Sequence, residues 1–322
     1  MNLNQALEYA SAFFIPEFIY GGGYEVVESE RRTCEEAIRV LDAAWRDAGA
    51  PGFSYSLVRE LGDRNRSLCD EIGPSRLERE PQVTLSRGLT DADLCAGIAA
   101  LQGRGASEVE AEVRGDRGAL AVAYVRMPVR GTVLGVDIET TSRDPERGYI
   151  VNTGWELMDL ASDAHPRDGV SRFSGLPDRY REPGVPLARI HGITWNDIDG
   201  KPPFREDKAL QEELLRLLCA YPYMAHNAAF EDAWFTMHLD GYAEARREGR
   251  ITVIDTRDVC RRLDPDATAL PRETSPASME AWARRRGTLA VDESERHLGL
   301  ADADLMLRTV HAEFARKDMF ES

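Results

Sequence analysis

Near its C-terminal end the chain reads "ERHLGLADADLMLRTVHAEF", Glu295 to Phe314. A histidine stands five positions before an aspartate, His297 and Asp302, and an apolar pattern at helical spacing follows. An imidazole with a reference pKa of about 6.5 exchanges protons near neutral pH. Such a pair does chemistry only where other carboxylates converge on it. "GTVLGVDIETTS" supplies Asp137 and Glu139, two apart and so on one face of a strand. Side-by-side carboxylates repel unless protons or cations neutralise them. "HNAAFED" supplies Glu231 and Asp232 at the start of a helix. Oxygen donors of this kind suit hard divalent cations, Mg²⁺ or Mn²⁺. Two such ions about 3.5–4 Å apart clamp the attacking and leaving oxygens of a phosphoryl displacement. A neutral His297 beside them would take the proton from the attacking water.

These residues must be positioned by an α/β frame. Val133, Leu134, Val136 and Ile138 predict a buried strand, and "YIVNTGWELMDL" predicts a second after the turn-rich "SRDPERG". "ALQEELLRLLCAYP" places Leu210, Leu214, Leu217 and Leu218 on one helical side. Tyr223 to Ala225 reads as a short strand leading into a helix, "ITVIDTRDVC" as another strand, and the closing helix starts near Leu300. "RIHGITWNDIDGKPPF" reads as a loop with a short helix start. Strands alternating with helices imply a mixed sheet, whose sites form at strand ends and helix N-termini.

A seam is expected near "PVRG", which separates an N-terminal α+β region, residues 1–130, from a second domain over 131–322. In the first region Thr33 and Glu36 make a capping box for a helix carrying Ile38, Leu41 and Trp45. "LTDADLCAGIAALQG" predicts a helix capped by Thr90 or Asp91, and "SEVEAEVRGDRGALAVAYVRM" reads as a hairpin. No residue of this region carries recognisable chemistry.

The 322 residues suffice for two domains, and an apolar share of 43% supports a sizeable core. Five scattered cysteines, without CxxC or a close Cys/His pair, argue against zinc and a disulfide framework and for a reducing, cytoplasmic compartment. The apolar "ASAFFIPEFIY" is interrupted by Pro16 and Glu17 and is too short to span a bilayer, which takes about 20 residues. No membrane association is expected. A net charge of −16 is unusual for a protein that grips phosphates, unless bound cations reverse the charge locally. Lysine is confined to Lys201, Lys208 and Lys317, so nearly all positive charge is bidentate-capable arginine.

Four stretches in order, across residues 132 to about 312, resemble the DEDDh branch of the RNase H-like 3′–5′ exonucleases. "VLGVDIETTSRDPERGYIV" resembles the first motif, "IHGITWNDIDGKPPF" the His-x-Ile-Thr segment, "AHNAAFEDAWF" the second motif and "HLGLADA" the third. That family includes the proofreading subunit of bacterial replicative polymerase, RNase T and oligoribonuclease. The resemblance implies an RNase H-like mixed sheet flanked by helices, two Mg²⁺ or Mn²⁺ ions held by Asp137, Glu139 and Asp302, and His297 as general base. It places Thr140, Thr141, His191 and Asn227 near the 3′-terminal nucleotide. For His191 an ordinary loop role, bonding backbone, stands beside that one, and for His226 and Asn227 a turn-fixing role does. The second motif departs from the family, which reads Phe-Asp where this chain has Phe230-Glu231-Asp232. A gapless match puts Glu231 in the ligand slot; Asp232 fills it if the helix starts one residue later. Asp255 is read as a strand-end helix cap.

The implied activity is removal of mononucleotides from single-stranded or frayed DNA 3′ ends. The alternatives are the same chemistry on RNA and a non-catalytic nucleic-acid-binding module. A polymerase or other protein is a candidate partner for residues 1–130.

Overall fold

The computed structural model describes residues 89–113, 123, 128–271 and 274–321. The expected Thr33-capped helix and the "ASAFFIPEFIY" segment lie outside them. Ser86–Thr140 with Ile150–Ser322 form one compact unit, and Thr141–Tyr149 belongs to another.

The first unit contains strands β1 (Thr132–Thr140), β2 (Ile150–Asp159), β3 (Arg167–Phe173), β4 (Tyr223–Ala225) and β5 (Val253–Asp255). Its helices are α1 (Asp91–Gln102), α2 (Ala106–Val113), α3 (Ala188–His191), α4 (Trp195–Ile198), α5 (Lys208–Ala220), α6 (Ala229–His238), α7 (Tyr242–Arg247), α8 (Thr256–Leu263), α9 (Asp266–Ala269), α10 (Met279–Arg286) and α11 (Gly299–Arg316). The sheet order is β3-β2-β1-β4-β5. β1 pairs antiparallel with β2 and parallel with β4, and β4 runs parallel to β5. This is the expected RNase H-like α/β architecture, a mixed sheet with helices on both faces.

Strand alternation sorts the core into two layers. Leu134, Val136, Tyr223, Ala225 and Val253 pack with Leu214 and Leu218 of α5 and with Trp234 and Phe235 of α6. Val133, Met224 and Ile254 pack on the other face with α1, α8, α10 and α11. Burial of each such side chain is worth roughly 1.5–3 kcal/mol, so both faces hold the strands in register. Asp137 and Glu139 share the parity of Val133 and therefore point to the α11 side.

Thr90 caps α1 through a reciprocal capping box with Asp93. α1 and α2, read from sequence as part of the N-terminal region, belong to the same core as the sheet. The hairpin expected from Ser107 is helical over Ala106–Val113; its remainder falls largely outside the described residues. Val109 and Val113 explain the helix, because they are four apart, both are buried, and i,i+4 spacing serves a helix as well as alternation serves a strand. β5 is shorter than expected because Asp255 ends it by capping α8. β3 was not anticipated; its side chains are mostly exposed, so it lacks the apolar alternation that marks a strand.

Candidate metal and nucleic-acid site

β1, β4 and β5 run parallel, so their C-terminal ends share one edge of the sheet. Glu139 lies at the end of β1, the β4–α6 turn presents Glu231, and Asp255 closes β5. α11 descends on the same region from the other side. Its first residue makes the approach: the Gly299 N–H donates to Asn152 Oδ1 at 2.9 Å. A Cβ on Gly154, which pairs with Asp137, would lie 1.8 Å from the Leu300 nitrogen. Only two glycines back to back let the helix N-terminus sit on the strand pair. His297, two residues earlier, takes a left-handed φ of 50°.

This seating brings donor atoms of Glu139, His297 and Asp302 within 4.8 Å of one another. His297 Nδ1 lies 3.8 Å from Asp302 Oδ2. Asp137 and Glu231 complete the cluster electrostatically. Burial, then Glu139, Glu231 and Asp302, push the Asp137 carboxyl well above its usual range. Burial, then Asp255, Glu139 and Asp232, push Glu231 well up, against a hydrogen bond from its own backbone. Glu139 is pushed up to about 8 by burial, Asp302 and Glu295. Asp302 is raised by burial, opposed by His297 and by backbone N–H groups.

Asp137 Oδ2 and Glu231 Oε2 are buried without a hydrogen-bond partner. Such atoms cost about 1–3 kcal/mol each when left unsatisfied, more if charged. Clustered oxygens that repel, lack donors and face an imidazole are the donor set a hard divalent cation satisfies.

The remaining expected residues sort as follows. Asp232 is engaged elsewhere: its Oδ1 accepts from Tyr242 Oη at 2.7 Å and from Arg246 Nε at 2.8 Å, and Arg246 also bonds Asp93 at 3.0 Å. It therefore anchors α6 to α7 and, through Arg246, to α1. Thr140 is buried at the end of β1, beside a bulge that follows Glu139. Thr141 belongs to the other unit, where its N–H and hydroxyl bond Tyr149 at 3.0 and 2.9 Å. His191 is buried; the Ile193 N–H donates to its Nδ1 at 3.0 Å, so Nε2–H donates to the Pro186 carbonyl at 3.0 Å. Both nitrogens are taken by backbone, which leaves neither for a substrate atom. Its pKa is lowered by burial and, further down the order, by the charge of His297. Asn227 has a φ of 71°, and its N–H donates to Asp255 Oδ1 at 3.0 Å. Asp255 also accepts from the Arg257 N–H at 2.9 Å, the helix cap read from sequence. His226 is fixed by the Ala277 carbonyl at 3.0 Å and by Thr256 Oγ1 at 3.2 Å. His238 is buried, stacked on Trp234 and bonded by Arg205 Nε.

Three contributors escaped the sequence reading. Glu295 joins the acidic field and is pushed up to about 7 by burial, Asp302 and Glu280. Asn152 and Gly154 seat α11. A polar residue and a glycine inside an apolar strand were the available signal for such a close approach.

No protein-family model matches the sequence, and no curated protein sequence matches it. Among solved structures, the zinc-ion-bound form of the E. coli ExoI–ssDNA complex matches at a TM-score of 0.44 and 16% identity, over 58% of this chain. The match spans 41% of that chain, well under two thirds of its length. What the chain's own atoms define is an α/β domain with a carboxylate–imidazole site at the C-terminal edge of its sheet. No described helix is long and apolar enough to cross a membrane.

Proposed function

We propose that the chain is a divalent-metal-dependent 3′–5′ exonuclease acting on single-stranded or frayed DNA ends. The observation that carries this reading is the pair of buried, unpartnered carboxylate oxygens on Asp137 and Glu231, both carboxyls raised by the charge of Glu139, which itself gathers with His297 and Asp302. Asp137, Glu139, Glu231 and Asp302 would hold two Mg²⁺ or Mn²⁺ ions. Bound there, the ions would supply the positive charge that a phosphodiester needs as its equatorial oxygens gain charge in the transition state. Glu231 is the second-motif ligand in this reading, because Asp232 already has two donors.

His297 acts as the general base. Its side chain is 43% exposed and sits on the solvent edge of the cluster, so water reaches it. Asp302 lies 3.8 Å from Nδ1, on the cluster side of the ring. Thr140, the residue after Glu139, borders the terminal nucleotide. His191 supports the floor of the site through backbone bonds. Residues 1–130 would carry partner or substrate selection.

The test is a 5′-labelled single-stranded DNA oligonucleotide incubated with Mg²⁺ or Mn²⁺, with an RNA of the same sequence in parallel. A ladder shortening from the 3′ end on DNA is the expected result. Loss of that ladder in Asp137→Ala assigns it to this site. An Asp137→Ala protein that degrades DNA as fast as the parent sinks the assignment, and faster turnover of RNA moves the substrate.

A further inference from the structure

Against α8, the helix that follows β5, lies a cavity of about 540 Å³. Its lining includes Arg257 and Arg261 together with Leu270, Pro276 and Ala277. The two arginines are four apart on α8, so they share a face. Neither makes an ion pair among the described residues. Arg257 Nη1 donates to Asn227 Oδ1 at 3.3 Å, and its Nε is buried without a partner. Two guanidinium groups in one cavity, without an ion pair among the described residues, are conspicuous on a chain of net charge −16. Leu270, 43% exposed, Pro276 and Ala277 add apolar surface to the lining, beside Thr268 and Ser275.

The cavity is tied to the candidate active site by three connections. Asp255 caps α8 and also raises the Glu231 carboxyl by its charge. Asn227, held by Arg257, opens the turn that presents Glu231. Ala277 of the cavity wall accepts a hydrogen bond from His226, which precedes Asn227. A strand whose 3′ end lay among the carboxylates would pass the end of β4 and meet this cavity beyond β5.

We infer that this cavity is a second nucleotide subsite, in which Arg257 and Arg261 hold a backbone phosphate of the same single strand, 5′ of the reacting terminus, while Leu270, Pro276 and Ala277 pack against its base. The inference rests on the exonuclease reading above. Its chemistry follows from what a nucleotide offers: an anion for bidentate guanidinium and a flat apolar face for the wall.

The experiment compares the parent with Arg261→Gln, Arg257→Gln and Arg261→Lys on a dinucleotide and on an octanucleotide of single-stranded DNA, across a salt series. A 5′-hydroxyl dinucleotide carries only the scissile phosphate, so it offers the two arginines no backbone phosphate 5′ of the reacting bond. For the parent, kcat/KM rises with length. In each Gln variant the octanucleotide-to-dinucleotide ratio of kcat/KM falls roughly tenfold, the scale of one lost charged hydrogen bond. The slope of log affinity against log salt for the octanucleotide shrinks by about 0.7 per arginine removed. Arg261→Lys, which keeps the charge, retains the parent slope. A change in stability alone would move both substrates together and leave the slope intact. Gln variants with the parent's ratio and slope overturn the subsite while leaving the exonuclease reading standing. Equal losses on both substrates overturn it as well. A parent inactive on both substrates overturns the exonuclease reading and the subsite with it.

Discussion

Replacing Glu139 by Gln should make the metal-free protein more stable at neutral pH while destroying its activity. The folded protein holds a proton on Glu139 because burial and the neighbouring carboxylates push its pKa from 4.5 to about 8. The sign follows from linkage: a group whose folded pKa is raised contributes its full stability below the unfolded value and loses it as pH rises through the folded value. At neutral pH the unfolded chain has released this proton and the folded chain has not. At ~1.4 kcal/mol per pH unit, that disadvantage is about 3 kcal/mol, and partial solvent access trims it to about 2 kcal/mol. A neutral Gln escapes the penalty. For a unit of this size, with ~2–4 °C per kcal/mol, the variant should melt roughly 4–8 °C above the parent in EDTA. The gap should be small near pH ~5 and open toward pH ~8. Mn²⁺ should raise the parent's melting temperature and do much less for the variant, because ligand removal weakens the linkage between binding and folding. Thermal unfolding by circular dichroism, with and without EDTA, reads all of this. A variant no more stable than the parent in EDTA at neutral pH, or a gap that does not change with pH, refutes the reasoning.

Three other outcomes are expected. His297→Ala should lower kcat by ~10²–10⁴ while Mn²⁺ binding by calorimetry persists, since a general base contributes on that scale; lost metal binding would reassign it as a ligand. Asp232→Ala should cost ~1–3 kcal/mol in urea unfolding by removing the carboxylate that accepts from the buried Tyr242 hydroxyl and from Arg246, which keeps Asp93, whereas Glu231→Ala should remove metal binding without that loss. Gly154→Ala should destabilise by at least ~1–3 kcal/mol and lower activity, because its methyl group would meet the Leu300 backbone and lift α11 with Asp302; wild-type unfolding midpoints and turnover would contradict the close approach.

Much of this site was legible before any fold was known. The parity of Asp137 and Glu139 follows from strand geometry alone, and the apolar stripes of α5 and α11 declare which faces are buried. The order of the four motif-like stretches pointed to an RNase H-like sheet, and the sheet is there. The reading failed where a pattern was compatible with two periods. Val109 and Val113 satisfy helix and strand spacing alike, and only their burial beside the sheet decided for a helix. β3 carries no apolar signature, because pairing with β2 rather than burial makes it a strand.

The choice between Glu231 and Asp232 shows the division most sharply. Sequence determined that two adjacent carboxylates begin a helix, and adjacent residues on a helix point about 100° apart, so one alone can face a given site. Residues far along the chain bear on which one: Tyr242 and Arg246, with Asp93 behind them, bond Asp232, and that engagement is what supports the proposal of Glu231 as the ligand. For His191, read from sequence either as a neighbour of the substrate or as an ordinary backbone-bonding residue, the fold supplies backbone partners for both ring nitrogens. Residue type and spacing determine what chemistry is available. Packing against distant segments decides which polar atoms remain unpartnered, because a hydrogen-bond donor from anywhere in the chain can satisfy them first.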